Sequence, residues 1–191
     1  MENRERIMQC AEELFYSRGY DAAGVQEIVE RAGVTKPTLY YYFGSKRGLL
    51  KAILDTKFER LIPELESVVN RPGDIRSKLY ELGGVYYDFF REEYRFYMLL
   101  MALFYSAREN EAYQTARPYY EHFYETVIRV FKDCSWELGN MNGRQKQFAI
   151  SYIGAVNQYL VLSFDTKTGK STVSREQVRG IVDQFMYGIF S

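Results

Sequence analysis

A short segment near the N-terminus concentrates side chains that could bind DNA. With Leu39 pointing inward, a helix over residues 36–43 turns one face to solvent, because successive residues lie about 100° apart. That face carries Lys36, Pro37, Tyr40 and Tyr41, with Thr38 on its flank. Tyr42 and Phe43 fall within about 60° of Leu39, so we expect both in the core. A merely solvated face does not normally hold two tyrosines and a proline.

The chemistry of this face suits double-stranded DNA. Lys36 can donate to guanine O6 or N7, and Pro37 or the methyl group of Thr38 can contact a thymine methyl. Hydroxyl groups of Thr35 and the tyrosines can donate to phosphates, which positions a helix without reading the sequence. Lys46 lies in the first turn of the next helix, where free N–H groups already favour a phosphate. The alternative is that residues 40–42 form an aromatic core stripe.

The charge distribution supports the DNA interpretation although the total charge is zero. The 25 Lys and Arg residues balance the 25 Asp and Glu residues. Between Val34 and Lys51 no residue is acidic, and the basic residues are Lys36, Lys46, Arg47 and Lys51. A local basic edge matters more for DNA than the sum over the chain.

Three short segments would position this face. Apolar residues at helical spacing predict helices over about residues 3–18 and 25–32, the second capped by Gly24 and ended by Gly33. Thr35 caps a third helix over 36–43, whose first turn holds Pro37 where a missing N–H costs nothing. Two short helices joined by a tight turn containing Gly predict a helix-turn-helix, whose second helix enters the major groove of DNA.

The rest of the chain also predicts helices. Ser45 caps a fourth helix, which Pro63 is expected to end or bend. Later helices are predicted over about 74–91, 94–106, 118–139, 144–164 and 175–190, with a polar loop over 165–172. The predicted fold class is all-α with about nine helices. We expect residues 1–47 to form a helix-turn-helix DNA-binding domain, and residues 48–191 to form a larger helical domain for effector binding and dimerisation.

Several motifs between Arg6 and Leu54 together resemble the tetracycline-repressor (TetR) family of transcription regulators. They are Ala11-Glu12-Glu13-Leu14-Phe15, Gly19-Tyr20, the run from Ile28 to Val34, and the run from Thr38 to Phe43 followed by Lys46. The resemblance implies a homodimer whose two recognition helices enter successive major grooves of a palindromic operator. It implies base contacts from Gln26, Lys36, Pro37, Thr38 and Tyr40, and phosphate contacts from Thr35, Tyr41 and Lys46.

Two glycines depart from the family pattern. Gly24 caps the second helix where the family usually has Ser or Thr, at a cost of a few tenths of a kcal/mol. Gly48 replaces the Glu that often follows the basic residue, and we expect this glycine to loosen the start of the fourth helix. Neither change removes a proposed DNA contact.

The last two predicted helices carry more apolar surface than one neighbour needs. On the first of them, one stripe is Phe148, Tyr152, Ala155, Tyr159 and Leu162, and a second is Ala149, Ile153, Val156, Leu160 and Ser163. One stripe can face its own domain and the other a partner. We expect a four-helix dimer interface that includes Tyr152, Val156, Tyr159, Val178, Val182 and Phe185. The alternative is that both stripes are buried within one chain.

Aromatic residues suggest a ligand cavity in the larger domain. Thirteen of the 18 tyrosines follow residue 50, and a buried tyrosine hydroxyl needs a polar partner. We expect a hydrophobic or aromatic effector pocket lined by Tyr86, Met101, Phe104, Tyr120, Tyr124 and Tyr152. The alternative is a tightly packed aromatic core.

Catalysis and metal binding find little support in the sequence. His122 is the single histidine, which excludes a His-rich metal site, and no Cys-x-x-Cys spacing is present. Cys10 and Cys134 lie far apart and are expected to be reduced packing residues of a cytoplasmic protein rather than redox sensors. The longest apolar run, residues 96–105, is too short to span a bilayer. We therefore predict no enzyme activity, no cofactor, no metal and no membrane association.

These features predict a ligand-responsive transcription regulator. Its partners would be double-stranded operator DNA, a second copy of itself and a small hydrophobic or aromatic effector. We expect a repressor that leaves its operator when the effector binds. The alternative is a helical module that carries a lipid-like molecule and whose helix-turn-helix no longer reads DNA.

Overall fold

The computed structural model of the chain describes residues 2–139, 141–165 and 170–188. Within that part the fold is all-α, as predicted, apart from one short pair of antiparallel strands. The helices are α1 (Asn3–Arg18), α2 (Val25–Ala32), α3 (Lys36–Phe43), α4 (Lys46–Asn70), α5 (Ile75–Glu92), α6 (Tyr94–Phe104), α7 (Glu111–Asp133), α8 (Gln145–Leu162) and α9 (Arg175–Tyr187). A 3-10 turn (Ser135–Glu137) follows α7, and the strands are β1 (Phe164–Asp165) and β2 (Lys170–Ser171).

The first three helices begin and end where the sequence predicts, because local residues determine their ends. Gly33 ends α2 in the left-handed conformation with a φ of 62°, which glycine adopts without steric cost. Thr35 precedes α3, and its side chain accepts a hydrogen bond from the backbone N–H of Thr38. Pro37 lies in the first turn of α3, where no backbone donor is lost.

Two helices contain a proline in their interior. We expected Pro63 to end or bend α4, and we expected α7 to begin at about residue 118. α4 continues through Pro63 even though proline removes one backbone hydrogen bond. The next turn buries Leu65 completely, and this apolar burial offsets the lost bond. α7 begins at Glu111 rather than near residue 118, so Pro118 lies within it. Ala116, fully buried, fixes the turn that precedes this proline.

The polar loop expected over 165–172 contains the strand pair. Phe164 pairs with Ser171, and Asp165 pairs with Lys170. The Oγ1 of Thr172 donates to the carbonyl oxygen of Ser163 at 2.8 Å, which ties the loop to the end of α8. Residues 166–169, and the end of the last predicted helix at 189–190, lie outside the described residues.

Contacts divide the chain into two compact units, of which the first is Met1–Glu59 with Glu93–Tyr120. It holds α1–α3, the first part of α4, α6 and the start of α7. Its core includes Ile7, Phe15 and Leu39, each at most 1% exposed. Because α6 packs along α1, this unit extends beyond residue 47, where the sequence suggested a domain boundary.

The second unit is Arg60–Glu92 with Glu121–Ser191. Helices α5, α8 and α9 pack on one another in it. Gly83 on α5 makes room for this contact, because a Cβ there would already lie 3.3 Å from side-chain atoms of Tyr152, Val178 and Val182. The hydroxyl of Tyr152 donates to the carbonyl oxygen of Leu79 at 2.6 Å, which fastens α8 to α5.

Gly48 is required where α3 turns into α4. A Cβ at this position would lie 1.9 Å from the carbonyl oxygen of Phe43, closer than any real contact. The backbone N–H of Gly48 donates to Oγ of Ser45 at 2.9 Å, so the predicted cap of α4 is present. The expectation that this glycine loosens the helix start was wrong, because the glycine allows the turn to close.

We therefore expect Gly48→Ala to lower the free energy of unfolding by about 1–3 kcal/mol, because the turn must open to accept the methyl group. Urea unfolding followed by circular dichroism measures the change. Thr56→Ala, an exposed substitution in the same helix, is the control and should leave stability nearly unchanged. A Gly48→Ala variant as stable as that control would contradict the close approach.

Candidate nucleic-acid interface

Helices α2 and α3 form a helix-turn-helix, joined by a turn of residues 33–35. Ile28 and Val29 of α2 and Leu39 of α3 are at most 2% exposed. Both helices contact α1. In α3, Leu39 is the buried residue, so docking through this side chain determines which residues of the helix face solvent.

The structure exposes the residues of α3 that the sequence placed outward. Tyr41 is 84% exposed and Tyr40 is 46% exposed. Lys36 and Pro37 are also exposed, and Thr38 is half-buried. Two phenols, an ammonium group and a proline ring therefore stand together on a helix of eight residues. Such a surface can enter a groove and offer both donors and apolar contacts.

Tyr42 was predicted to be buried, and this prediction was wrong, since 41% of it is exposed. α3 ends one residue later, and Gly44 redirects the chain with a φ of 71°, so no further helical turn covers the ring. Tyr42 instead packs edge-on against Tyr41, with ring centroids 5.2 Å apart. The alternative of a buried aromatic stripe over 40–42 is contradicted, because all three tyrosines are exposed.

Two predicted DNA-binding residues have internal partners. The Oγ1 of Thr35 lies 2.9 Å from Oγ1 of Thr38, in addition to its role as the cap of α3. Gln26 is exposed on α2, and its Nε2 donates to Oε1 of Glu30 at 2.5 Å. Both side chains lie at the surface of the helix-turn-helix, and contact with DNA would require them to exchange these partners.

Lys46, the predicted phosphate ligand on α4, is half-buried. Its Nζ donates to the carbonyl oxygen of Asp21 at 3.3 Å and lies 4.3 Å from the centre of the Tyr20 ring. Burial lowers the pKa of Lys46, while attraction to Asp21 and Glu111 opposes that shift. The ammonium group is therefore held by its own chain.

The other basic residues of this segment are also engaged. Arg47 donates from Nε to Oγ1 of Thr115 at 3.1 Å. Lys51 forms an ion pair of 2.8 Å with Asp55. Lys36 is the basic residue that α3 presents on its exposed surface.

Comparison with known proteins shows what this segment is similar to. The sequence model described as "Bacterial regulatory proteins, tetR family" matches residues 7–53, which form α1–α3 and the start of α4. The HTH-type transcriptional activator FasR of Mycolicibacterium smegmatis is 35% identical over 99 residues, which are 52% of this chain and 45% of FasR. Residues 7–53 therefore have the sequence pattern of the helix-turn-helix segment of TetR-family regulators.

Solved regulators share the fold over nearly the whole chain. The MbdR regulator of Azoarcus sp. CIB superposes with a TM-score of 0.82 at 17% identity, covering 100% of both chains. FadR of Bacillus subtilis, solved in complex with stearoyl-CoA, superposes with a TM-score of 0.78 at 15% identity, covering 97% of this chain and 98% of FadR. By contrast, the chain spans less than half the length of the curated relatives it matches in sequence.

The predicted effector-pocket residues fall into two groups. Met101, Phe104 and Tyr120 lie in the first unit, and Tyr86, Tyr124 and Tyr152 lie in the second. The Tyr120 hydroxyl donates to the carbonyl oxygen of Leu100 at 2.6 Å, as that of Tyr152 does to Leu79. Burial raises the pKa of Tyr152, consistent with a neutral hydroxyl that serves packing.

The two stripes of α8 differ in exposure. Ala149, Ile153, Val156 and Leu160 of the second stripe are at most 1% exposed, whereas the first stripe includes both Tyr152, which is fully buried, and Leu162, which is 76% exposed. The alternative that both stripes are buried within one chain is therefore contradicted. Among the predicted interface residues, Tyr152, Val156, Val178 and Val182 are covered by their own chain and are not accessible to a second copy.

The remaining two predicted interface residues lie on an open groove. Tyr159 of α8 and Phe185 of α9 line it with Ala155, Gln158, Leu162, Ser163, Ile181 and Gln184, and its volume is about 590 Å³. It presents apolar side chains from both of the last helices at the surface of the second unit.

His122, Cys10 and Cys134 provide no reactive site in the described part of the chain. His122 is exposed on α7, and no three described His, Cys, Asp or Glu residues are grouped to hold a metal ion. Burial raises the pKa of both thiols, Cys10 and Cys134, which disfavours a reactive thiolate. Among the described residues, no helix is both long and apolar enough to cross a membrane.

Sequence reasoning missed Tyr20, Asp21 and Glu111, which surround Lys46. Tyr20 and Glu111 lie 91 positions apart, and no periodicity connects residues at that separation. Gly19-Tyr20 belongs to a family motif, but its partner Glu111 on α7 carries no motif of its own.

We expect Leu39→Ala to lower the free energy of unfolding by about 2–5 kcal/mol, because it empties a filled core position. Tyr41→Ala, on the same helix, should change it by no more than about 0.5 kcal/mol, because that side chain is exposed. Chemical denaturation of the two purified variants makes the comparison. Equal losses would mean that α3 docks through a different face.

Proposed function

We propose that the protein is a ligand-responsive transcription regulator that binds a palindromic operator as a homodimer. The observation that carries this proposal is the exposed face of α3, which lies within the segment that matches the TetR family. Lys36 and Tyr40 would contact base edges, and Tyr41 would contact a phosphate. The relatives named above are regulators, which supports the prediction that the protein is not an enzyme.

A homodimer would place two copies of α3 about 34–36 Å apart, one turn of DNA. The apolar groove between α8 and α9 supports this part of the proposal, because exposed apolar surface on two adjacent helices is typical of an interface. Leu162, Tyr159 and Phe185 would lie at its centre. A symmetric contact of this kind makes the two helix-turn-helix segments equivalent, and this symmetry matches that of a palindromic operator.

The effector would be a small hydrophobic or aromatic molecule. Aromatic rings follow one another in the second unit, with Tyr86 and Phe123 at 5.2 Å and Phe123 and Tyr124 at 5.8 Å between centroids. FadR, which shares the fold, was solved with stearoyl-CoA, so a long acyl chain is a reasonable first probe. The ligand must bind two conformers of the protein with different affinity. The conformer that it favours no longer fits successive major grooves of the operator.

We propose that the protein acts in the cytoplasm as a repressor. FasR is named as an activator, so relatives with the same helix-turn-helix do not all share one direction of regulation. The direction depends on where the operator lies relative to the promoter rather than on the chemistry of α3. A reporter placed behind the operator distinguishes the two, because repression lowers its output and activation raises it.

Selection of bound sequences from a random duplex DNA library should yield an inverted repeat. Affinity for the selected repeat should fall steeply with salt, because phosphate contacts release counterions. Lys36→Ala and Tyr40→Ala should each weaken binding by about 1–3 kcal/mol and relax selection at one base pair of each half-site. Gel-shift or fluorescence anisotropy titrations measure both effects.

Two exposed residues away from the helix-turn-helix provide matched controls. Lys132→Ala removes the same charge, and Tyr105→Ala removes a tyrosine that is 77% exposed. Neither should change operator affinity. Absence of any enriched sequence would favour the helical module that carries a lipid-like molecule. If an operator is selected, stearoyl-CoA added to the protein–operator complex tests the effector. Release of the DNA supports an acyl ligand, and unchanged operator affinity excludes stearoyl-CoA.

Leu162→Asp should convert the dimer to a monomer at micromolar concentration, because it places a charge in the apolar groove. Sedimentation velocity measures the change. Tyr105→Asp introduces the same charge at an exposed aromatic residue of the first unit and should leave the assembly unchanged. A Leu162→Asp variant that remains dimeric would place the interface elsewhere.

A further inference from the structure

Lys46 is enclosed by groups that the start of α7 holds in place. Its Nζ contacts the carbonyl oxygen of Asp21 and the face of the Tyr20 ring, at 3.3 and 4.3 Å. The Tyr20 hydroxyl donates to Oε1 of Glu111 at 2.5 Å. Asn110 donates from Nδ2 to Oδ2 of Asp21 at 2.7 Å. Both groups that touch the ammonium are therefore fastened to residues 110–111.

The charges around Lys46 are those that a DNA phosphate would have to replace. The carboxylates of Asp21 and Glu111 attract the ammonium, against the cost of its burial. Tyr20 is only 6% exposed, and its ring also packs on Phe15 at 5.1 Å between centroids. A cation held over an aromatic ring and near two carboxylates gains less from a phosphate than a free lysine does.

We propose that Tyr20, Asp21 and Glu111 form an autoinhibitory cage for Lys46, and that the start of α7 determines whether this lysine reaches the DNA backbone. The inference rests on the proposed function, because it concerns affinity for the operator. With the cage closed, α3 reads the groove without the Lys46 phosphate contact. A displacement of residues 110–111 releases the ammonium and adds that contact.

A double-mutant cycle tests the cage. Glu111→Gln removes the charge but keeps an oxygen that accepts the Tyr20 hydroxyl, so the fold is preserved. It should strengthen operator binding about two- to tenfold, the equivalent of one modest interaction. Lys46→Ala should change affinity little in the wild type. In the Glu111→Gln background, Lys46→Ala should cancel the gain in operator affinity. It should also lower the slope of log affinity against log salt concentration by about one.

The control separates the cage from general repulsion between carboxylates and DNA. Glu109→Gln removes the same charge from an exposed residue two positions earlier. Any gain in operator affinity that Glu109→Gln produces comes from this general repulsion. Only the additional gain in Glu111→Gln measures the cage. The cage is refuted if Lys46→Ala has the same effect in both backgrounds, or if Glu111→Gln weakens operator binding.

Lysine-selective NMR gives a readout that needs no DNA. The Tyr20 ring should shift the Lys46 ε-methylene signal upfield, and Glu111→Gln should lower the pKa of Lys46 further because one attracting carboxylate is lost. Operator DNA should leave this ring shift largely intact in the wild type and abolish it in Glu111→Gln. A normal Lys46 signal in the free protein refutes the cage, whereas an intact ring shift without any operator binding refutes the proposed function instead.

Discussion

The burial of Leu39 is the contact on which the exposed face of α3, the proposed DNA-binding surface, depends. A helix of eight residues is not stable alone in water, so α3 exists because this side chain docks completely into the core. The same contact fixes the rotation of the helix about its axis. Tyr40 and Tyr41 are exposed as a consequence, and no separate interaction has to hold them outward. Stability and recognition therefore share one cause in this element.

Helices α1–α3, the proposed DNA-binding segment, are joined to the chain through more than α4 alone. Arg47 bonds to Thr115, and Tyr119 donates to Asp55, so the start of α7 holds α4 at two levels. Each such polar contact contributes only about 0.5–1.5 kcal/mol net. Contacts of this size keep a unit together yet can be exchanged when a ligand supplies comparable free energy. A regulator needs both properties in the same place.

Sequence alone predicted what is determined locally. Caps such as Thr35 and Gly33, and apolar residues at helical spacing, gave the ends of α1–α3 and the outward face of α3. Errors arose where the deciding neighbour is distant or where the helix ends. Tyr42 is exposed because α3 stops beside it, and Pro63 is tolerated because Leu65 is buried after it. The partners of Lys46 come from another helix, so residue spacing could not have revealed them.

The apolar stripes of α8 show the same limit in a different form. Periodicity identifies both stripes but not which one faces inward, because they lie only about 100° apart on the helix. Tyr152 belongs to the first stripe, yet it is fully buried, because Gly83 on α5 has no side chain and lets this ring and α9 approach closely. The end of this stripe at Leu162 is left at the surface. A small residue on a third helix thus helps to determine which part of the stripe is buried, and only the packed structure contains that information.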